Sequence, residues 1–398
     1  MTSAFFKVSL ISSALLLAAC SSDNNNEPQE VAAISGVAIH TVATDYVSGQ
    51  QVVIADKDTY QLTNTGVAVT DSATDYTIRT YQDDLYHIGR WNIDTIEKFS
   101  ADALQSSSYK FSTQQAGEEA SGNPYDIVFL NEQKAFVIRY GLDEILIINP
   151  SATQASDFVT GSIDISAYNT NKGEPTAADG LIHDGKLFVA MQRLNALWTP
   201  ETAYVAVFDV ETGVEIETNA STTDTVKGIP LTGTNPIQDS LKIYADDLYV
   251  TTHAESYPAD ASQNILLSKI EKIDLATYSL DVVLTAADIT GNTSSTLNES
   301  IIISDTKGYF FTTNTSTNIS GVYQFNPSTG VITSSDVAAT VTNAEGVADI
   351  ALDSENRMWI SVQHAVAPGV DVYSVDDNSL LENRITTVLP PARVEFFY

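Results

Sequence analysis

The sequence predicts an all-β chain folded as a seven-bladed β-propeller, and three observations carry that prediction. A two-strand phrase recurs six times at a spacing of about 50 to 60 residues, the length of one four-stranded blade. Each copy places an aromatic in what reads as one slot of its second strand: Tyr86, Phe136, Phe188, Tyr249, Phe310 and Trp359. The two ends of the chain hold complementary parts of one further blade. Composition agrees, because 18 tyrosines and many threonine-rich runs favour strands, while no stretch keeps an apolar period near 3.6 for three turns.

Taken in order, the chain begins with an address rather than a fold. Lys7 precedes an apolar run from Val8 to Leu16 that is too short to span a bilayer as a helix. Leu17-Ala18-Ala19-Cys20 then resembles the bacterial lipobox, which implies cleavage before Cys20 and acylation of that cysteine. Cys20 is the only cysteine, so no intrachain disulfide is available; a free core cysteine is the alternative. Ser21 and Ser22 follow, with no aspartate directly after Cys20, and by resemblance to Gram-negative lipoproteins this implies a lipid anchor in the outer membrane. Asp23 to Glu30 is polar and reads as a tether. The expected organisation is a signal peptide over residues 1–19, a lipidated cysteine and tether over 20–31, and the propeller over 32–398.

The clearest copy of the repeat runs from Asn235 to His253. Asn-Pro leads through Asp239 into an apolar strand, a turn at Asp246 and Asp247 follows, and a second strand ends at His253. Turns between third and fourth strands recur at Asn149-Pro150-Ser151, Asp209 to Gly213, Asp274 to Thr277, and Asn326 to Gly330. Each starts with Asn or Asp, which bonds its own backbone, and two close with glycine. At the N-terminus, Val37 to Val42, Gln51 to Ala55 and Gly66 to Val69 read as second, third and fourth strands without a first. Arg393 to Tyr398 supplies the missing inner strand, and pairing the ends removes two open sheet edges.

This alternation of Asn-Pro, strand, aromatic strand and Asp-x-x-Thr-Gly turn, from about Ile34 to Tyr398, resembles the seven-bladed propellers of the YVTN and surface-lipoprotein type. With a lipobox in front, the chain is similar to the bacterial lipoproteins that pair with TonB-dependent outer-membrane receptors. The resemblance implies capture of an iron-siderophore chelate or a similar small ligand for such a receptor. Fold alone does not choose a function.

Charge and register narrow the chemistry. With 51 acidic against 19 basic residues the net charge is -32, which excludes nucleic acid and anionic lipid surfaces as partners for most of the surface. At the starts of the inner strands stand Asp75, Asp126, Asp179, Asp239, Glu299 and Asp349. Two readings of this ring are open: each acid caps the N-H groups of its own loop, or the carboxylates together hold a hard cation such as calcium. Just past the second strands lie Arg90 and Trp91, Arg139 and Tyr140, Gln192 and Arg193, His253, Asn314, and Gln363 with His364. Either the arginines pair with neighbouring acids, or Arg90, Arg139 and Arg193 form a half-funnel for an anionic ligand, with Trp91 and Tyr140 offering rings. Trp198, in the insertion from Leu194 to Thr202, is expected to overhang it.

Motifs for zinc, haem attachment, phosphate loops and nucleophile elbows are absent from the sequence, and there are five histidines in all. Two other functions stay open at this level. Glu299, Asn314, Asp349 and His364 would serve a channel-metal hydrolase or oxidoreductase if they converged. A scaffold or adhesion protein would use the rim alone.

Overall fold

The computed structural model describes residues 36–398 apart from 46–48, 70–74, 102, 219–225, 255–260, 315, 336, 339–340 and 342–344. The signal, lipobox and tether lie outside the described residues. Seven four-stranded antiparallel sheets form the domain, and their strands run in chain order from inner to outer except in the first. There the C-terminal strand Pro391–Phe396 is innermost and pairs with Gly36–Val42, which pairs in turn with Gln50–Asp56. The ring is closed as the sequence predicts. Among the described residues no helix is long and apolar enough to cross a membrane.

The inner strands of blades 2 to 7 are Tyr76–Tyr81, Pro124–Asn131, Ala177–His183, Pro236–Tyr244, Ser295–Ser304 and Gly346–Leu352. Side chains alternate across each sheet, so every second strand sends one set of residues toward the preceding blade and the other toward the following one. Leu85 packs with Ala38, Val52 and Phe397 of blade 1, while its neighbour Tyr86 packs with Ile127 and Val137 of blade 3. The same holds around the ring: Phe136 meets blade 4, Phe188 meets blade 5, and Trp359 meets Val394 and Phe396 of blade 1. These aromatics form the mortar between blades.

One slot differs from the sequence reading. In blade 6 it is Tyr309 that faces the following blade, where its hydroxyl donates to the Val375 carbonyl at 3.1 Å. Phe310 points back toward blade 5 and packs with Tyr249 and Phe325. Two adjacent aromatics fit the repeat equally well by spacing, and only the pleat decides which is which.

The turns follow the expected chemistry. Asp209 Oδ1 accepts from the backbone N-H groups of Glu211 and Thr212 and from the Thr212 hydroxyl, at 3.1, 2.8 and 2.8 Å. Asp274 does the same with Ala276 and Thr277. The closing Gly330 has a φ of 69°, and a Cβ there would lie 2.0 Å from the Val283 carbonyl oxygen.

Candidate functional site

The aromatic slot sets a register for the inner strands. Opposite Tyr86, Phe136, Phe188, Tyr249, Tyr309 and Trp359 stand Arg79, Val128, Leu181, Lys242, Ile301 and Ala351. Two residues earlier, on the same face, come Thr77, Asp126, Asp179, Ser240, Glu299 and Asp349. Blade 1 places Arg393 and Glu395 at the matching positions, with Glu395 opposite Ala38. Blade 5 is irregular between Pro236 and Leu241, and Asp239 at φ 64° takes the channel place beside Ser240. Two layers of charge therefore line the channel.

Five of the six predicted acids meet there. Asp75 does not, because it precedes the slot by two residues and sits at one mouth, where it pairs with Arg90 through Nε at 2.8 Å. The other five surround three cations. Arg79 forks onto Asp126 at 2.5 and 2.9 Å and reaches Asp239 at 3.1 Å and Glu395 at 2.8 Å. Arg393 bonds Asp239 at 2.5 Å and Glu395 at 2.7 Å, and Lys242 bonds Glu299 at 2.7 Å. A backbone bond from the next inner strand completes three of the acids: Leu241 N-H on Asp179 at 2.8 Å, Ile350 N-H on Glu299 at 3.3 Å, and Val394 N-H on Asp349 at 2.7 Å.

This arrangement corrects both readings of the ring. The acids do cap backbone N-H groups, but those three clasp the following blade rather than their own loops; Asp126 alone accepts from its own neighbour, Ile127. The calcium reading fails on geometry, since the carboxylate oxygens are turned onto fixed guanidinium, ammonium and amide donors. A cation entering that cluster would be repelled by Arg79, Lys242 and Arg393. Among the described residues no group of three or more His, Cys, Asp or Glu side chains is arranged to hold a metal ion.

Crowding of buried acids shifts their proton affinities apart. Burial, then the charges of Asp239 and Asp126, push Asp179 up to about 7. Burial and the neighbouring Glu299 raise Asp349 well above the usual range, and burial raises Glu299. Burial would raise Asp239 too, but Arg393, Arg79 and Lys242 outweigh it and hold its carboxyl well below the usual range. A raised acid binds its proton more tightly when folded, so its stabilising contribution is full below the unfolded value and is lost as pH rises through the folded one. The thermal midpoint is therefore expected to fall as the pH rises from about 4 to about 7, between the unfolded and folded values, and Asp179→Asn should flatten that slope. Identical slopes in the two proteins would show that Asp179 is not the group responsible.

Above the charged floor, on the face where inner strands begin and second strands end, the channel widens into a cavity of about 1110 Å³. A smaller cavity of about 320 Å³ opens at the other end, and the two share Asp239, Glu299, Asp349 and Arg393. Of the predicted site residues, Arg90, Gln192, His364, Asp75, Asp239, Glu299 and Asp349 line the larger cavity. Asp126 and Asp179 lie deeper. Trp91 is an exposed rim residue, and His253 is buried with Nδ1 2.9 Å from the Leu297 carbonyl.

The three-arginine funnel does not form. Arg139 is wholly buried, bonded to Glu118 on the connection into its blade at 2.7 Å and to the Glu144 carbonyl at 3.1 Å. Arg193 turns to the carbonyls of Tyr168 and Thr202 and lies over the Tyr204 ring at 5.2 Å. Arg90 alone lines the cavity, with its guanidinium 4.9 Å from the Tyr125 ring centre. Tyr140 stacks behind Tyr125 at 4.5 Å and donates to Gln192 at 2.8 Å, so it positions lining residues rather than lining the cavity. Trp198 packs over Lys172 at 4.6 Å, away from the cavity lining. A guanidinium drawn out of water needs acceptors close by, and for Arg139 and Arg193 these come from the blade and from the connection that leads into it.

The four residues of the channel-metal alternative also stay apart. Glu299 and Asp349 are neighbours, but Asn314 is bonded to Ser294 at 2.6 Å, and His364 lies 3.3 Å from Glu345 with its Nδ1 accepting from Ala367. Sequence reasoning missed Gln238, Asn298 and Arg393 as lining residues, although each stands in or next to the register that located the acids. It also missed the apolar lip formed by Val388, Leu389 and Pro390, which no repeat announces.

The fold and this channel define a seven-bladed β-propeller with an open mouth pocket. No family model matches the chain, and no curated protein matches it. Solved structures do: a protein from Lactobacillus plantarum at 14% identity, TM-score 0.58, covering 92% of this chain and 99% of that one. A candidate 6-phosphogluconolactonase from Bacteroides fragilis is similar at 12% identity, TM-score 0.57, covering 94% and 100%. The extracellular domain of a candidate one component system from B. thetaiotaomicron matches at 12% identity and TM-score 0.46 over 79% of this chain, which spans about a third (34%) of that domain's length. At these identities the likeness is one of fold.

Proposed function

We propose that the chain is a lipid-anchored binding protein whose mouth cavity captures a small polar ligand for a transporter in the same membrane. In this reading residues 1–19 are a cleaved signal, Cys20 carries the lipid in the outer membrane, residues 20–31 are the tether, and residues 32–398 form the propeller. A TonB-dependent receptor is the partner that the resemblance to surface lipoproteins implies. The observation that carries the reading is the mouth cavity of about 1110 Å³, slightly larger than the range typical of ligand sites, roughly 300–1,000 Å³.

An iron chelate is the ligand implied by the resemblance, and the lining bears on it. A strongly anionic chelate would meet Arg90 and Arg393, but Asp75 and Asp239 already compensate them. With Glu299 and Asp349 also in the lining, the cavity suits a ligand of low charge better than an anion. Two measurements test the proposal. Cys20→Ser is expected to move the protein from the membrane fraction to the soluble fraction, and its recovery in membranes at wild-type levels would refute the anchor. Native mass spectrometry after incubation with chelates, sugars and amines is expected to show one retained ligand, and Ala348→Trp, which fills the cavity from the inner strand of blade 7, should abolish retention. Retention unchanged by that variant would place the ligand elsewhere.

A further inference from the structure

Five amide side chains line the mouth cavity, Asn318 among them, and the other four are each tied to the protein by one end only. The Gln192 carbonyl accepts from the Tyr140 hydroxyl at 2.8 Å, which leaves its NH2 for the cavity. Gln238 donates to the Tyr125 carbonyl at 2.7 Å, and Asn298 donates to the Thr313 hydroxyl at 2.9 Å. Gln363 donates to the Pro391 carbonyl at 3.5 Å. The oxygens of these three are left for the cavity, and neither they nor the Gln192 nitrogen are sealed away from solvent. Gln192 and Asn298 are nearly buried, so their anchored ends hold the open ends in one orientation.

We propose that this ring recognises a neutral polyhydroxylated ligand, a sugar or cyclic polyol; the inference rests on the reading of the mouth as a binding site. A hydroxyl both donates and accepts, so it satisfies a mixed ring of amide donors and acceptors whichever way it approaches. A carboxylate offers acceptors only and would meet the three amide oxygens, Glu299 and Asp349 without donating to them. An ammonium offers donors only and would find Arg90 and Gln192 turned toward it. Anchored amides of this kind lose little freedom on binding, which favours affinity. The lip of Val388, Leu389 and Pro390 gives the C-H face of a ring an apolar surface to lie on.

The test uses the full-length protein in detergent and isothermal titration with named probes: myo-inositol, glucose and maltotriose as neutral polyols, gluconate and citrate as anions, spermidine as a cation, and tri-alanine amide as a peptide. At least one neutral polyol is expected to bind, with the anions weaker by tenfold or more. Gln192→Ala and Asn298→Ala should each weaken it by about three- to tenfold, the loss of one hydrogen bond. Tyr140→Phe, which frees Gln192 to turn, should weaken binding while the thermal midpoint holds. If citrate, spermidine or the peptide binds and the polyols do not, the polyol inference is wrong and the mouth remains a binding site. If no probe binds and native mass spectrometry also retains nothing, both readings fall.

Discussion

Removal of Val394 to Tyr398 is expected to abolish cooperative folding or to lower stability by most of its total. Val394, Phe396 and Phe397 are each at most 7% exposed and pack between blades 7, 1 and 2. Losing their burial costs roughly 1.5 to 3 kcal/mol each, which in sum is comparable with a typical total stability of about 5 to 15 kcal/mol. The backbone loss adds to this. Val37 to Ile39 would lose their inner partners, and Asp349 would lose the Val394 N-H. Deleting Tyr398 alone, which is 70% exposed, should change little by comparison. Chemical denaturation of the three proteins checks the expectation, and a truncated domain with the wild-type midpoint would show that blade 1 does not depend on its inner strand.

The second large effect is expected at Arg79. Its guanidinium touches Asp126, Asp239 and Glu395, which come from three different blades, so it is the hub of the upper and lower charge layers. Arg79→Met keeps most of the volume and leaves one buried and two part-buried carboxylates short of a partner, a change that costs about 3 to 5 kcal/mol. Protonation relieves that cost. Asp239 in particular owes its depressed proton affinity to Arg393 and Arg79, so in the variant its folded value rises and the stability tied to its charged form is lost. The gap between variant and wild type should therefore be wide at pH 8 and narrow at pH 5. Asp126→Asn in the Arg79→Met background should restore part of the loss, because it removes one of the stranded charges. A gap of equal size at both pH values would mean that Arg79 acts through packing alone.

How much of this was legible beforehand depends on the distance over which each feature is decided. The repeat, the ends that share one blade and the Asx turns at Asp209 and Asp274 were legible because each is a periodic or local property. Alternation sends residues to opposite faces, and an Asp bonds amides two and three positions ahead. The acids of the channel were found for the same reason, as a regular register marks them. Asp75 was misplaced into that ring because it precedes its strand, two residues before the channel position that Thr77 holds in blade 2.

Side-chain direction is where reading the sequence ended. Arg90, Arg139 and Arg193 stand at the ends of the second strands of three successive blades, yet one lines the mouth and two turn away to acceptors in the blade and on the connection before it. A guanidinium on a long flexible stem goes to the nearest buried acceptors, and those belong to other parts of the chain. Arg79, Lys242 and Arg393 were invisible as channel residues, since a basic residue on an amphipathic strand reads as solvent-facing until seven strands are drawn around one axis. By itself, then, the sequence determined the seven blades, their closure and the existence of an acidic channel, because periodicity and local turn chemistry are written residue by residue. Only the tertiary structure decided that Tyr309 rather than Phe310 cements blade 6, that cations inside the channel neutralise its acids, and that anchored amides surround the mouth, because those outcomes depend on which residues of distant blades come within hydrogen-bonding reach.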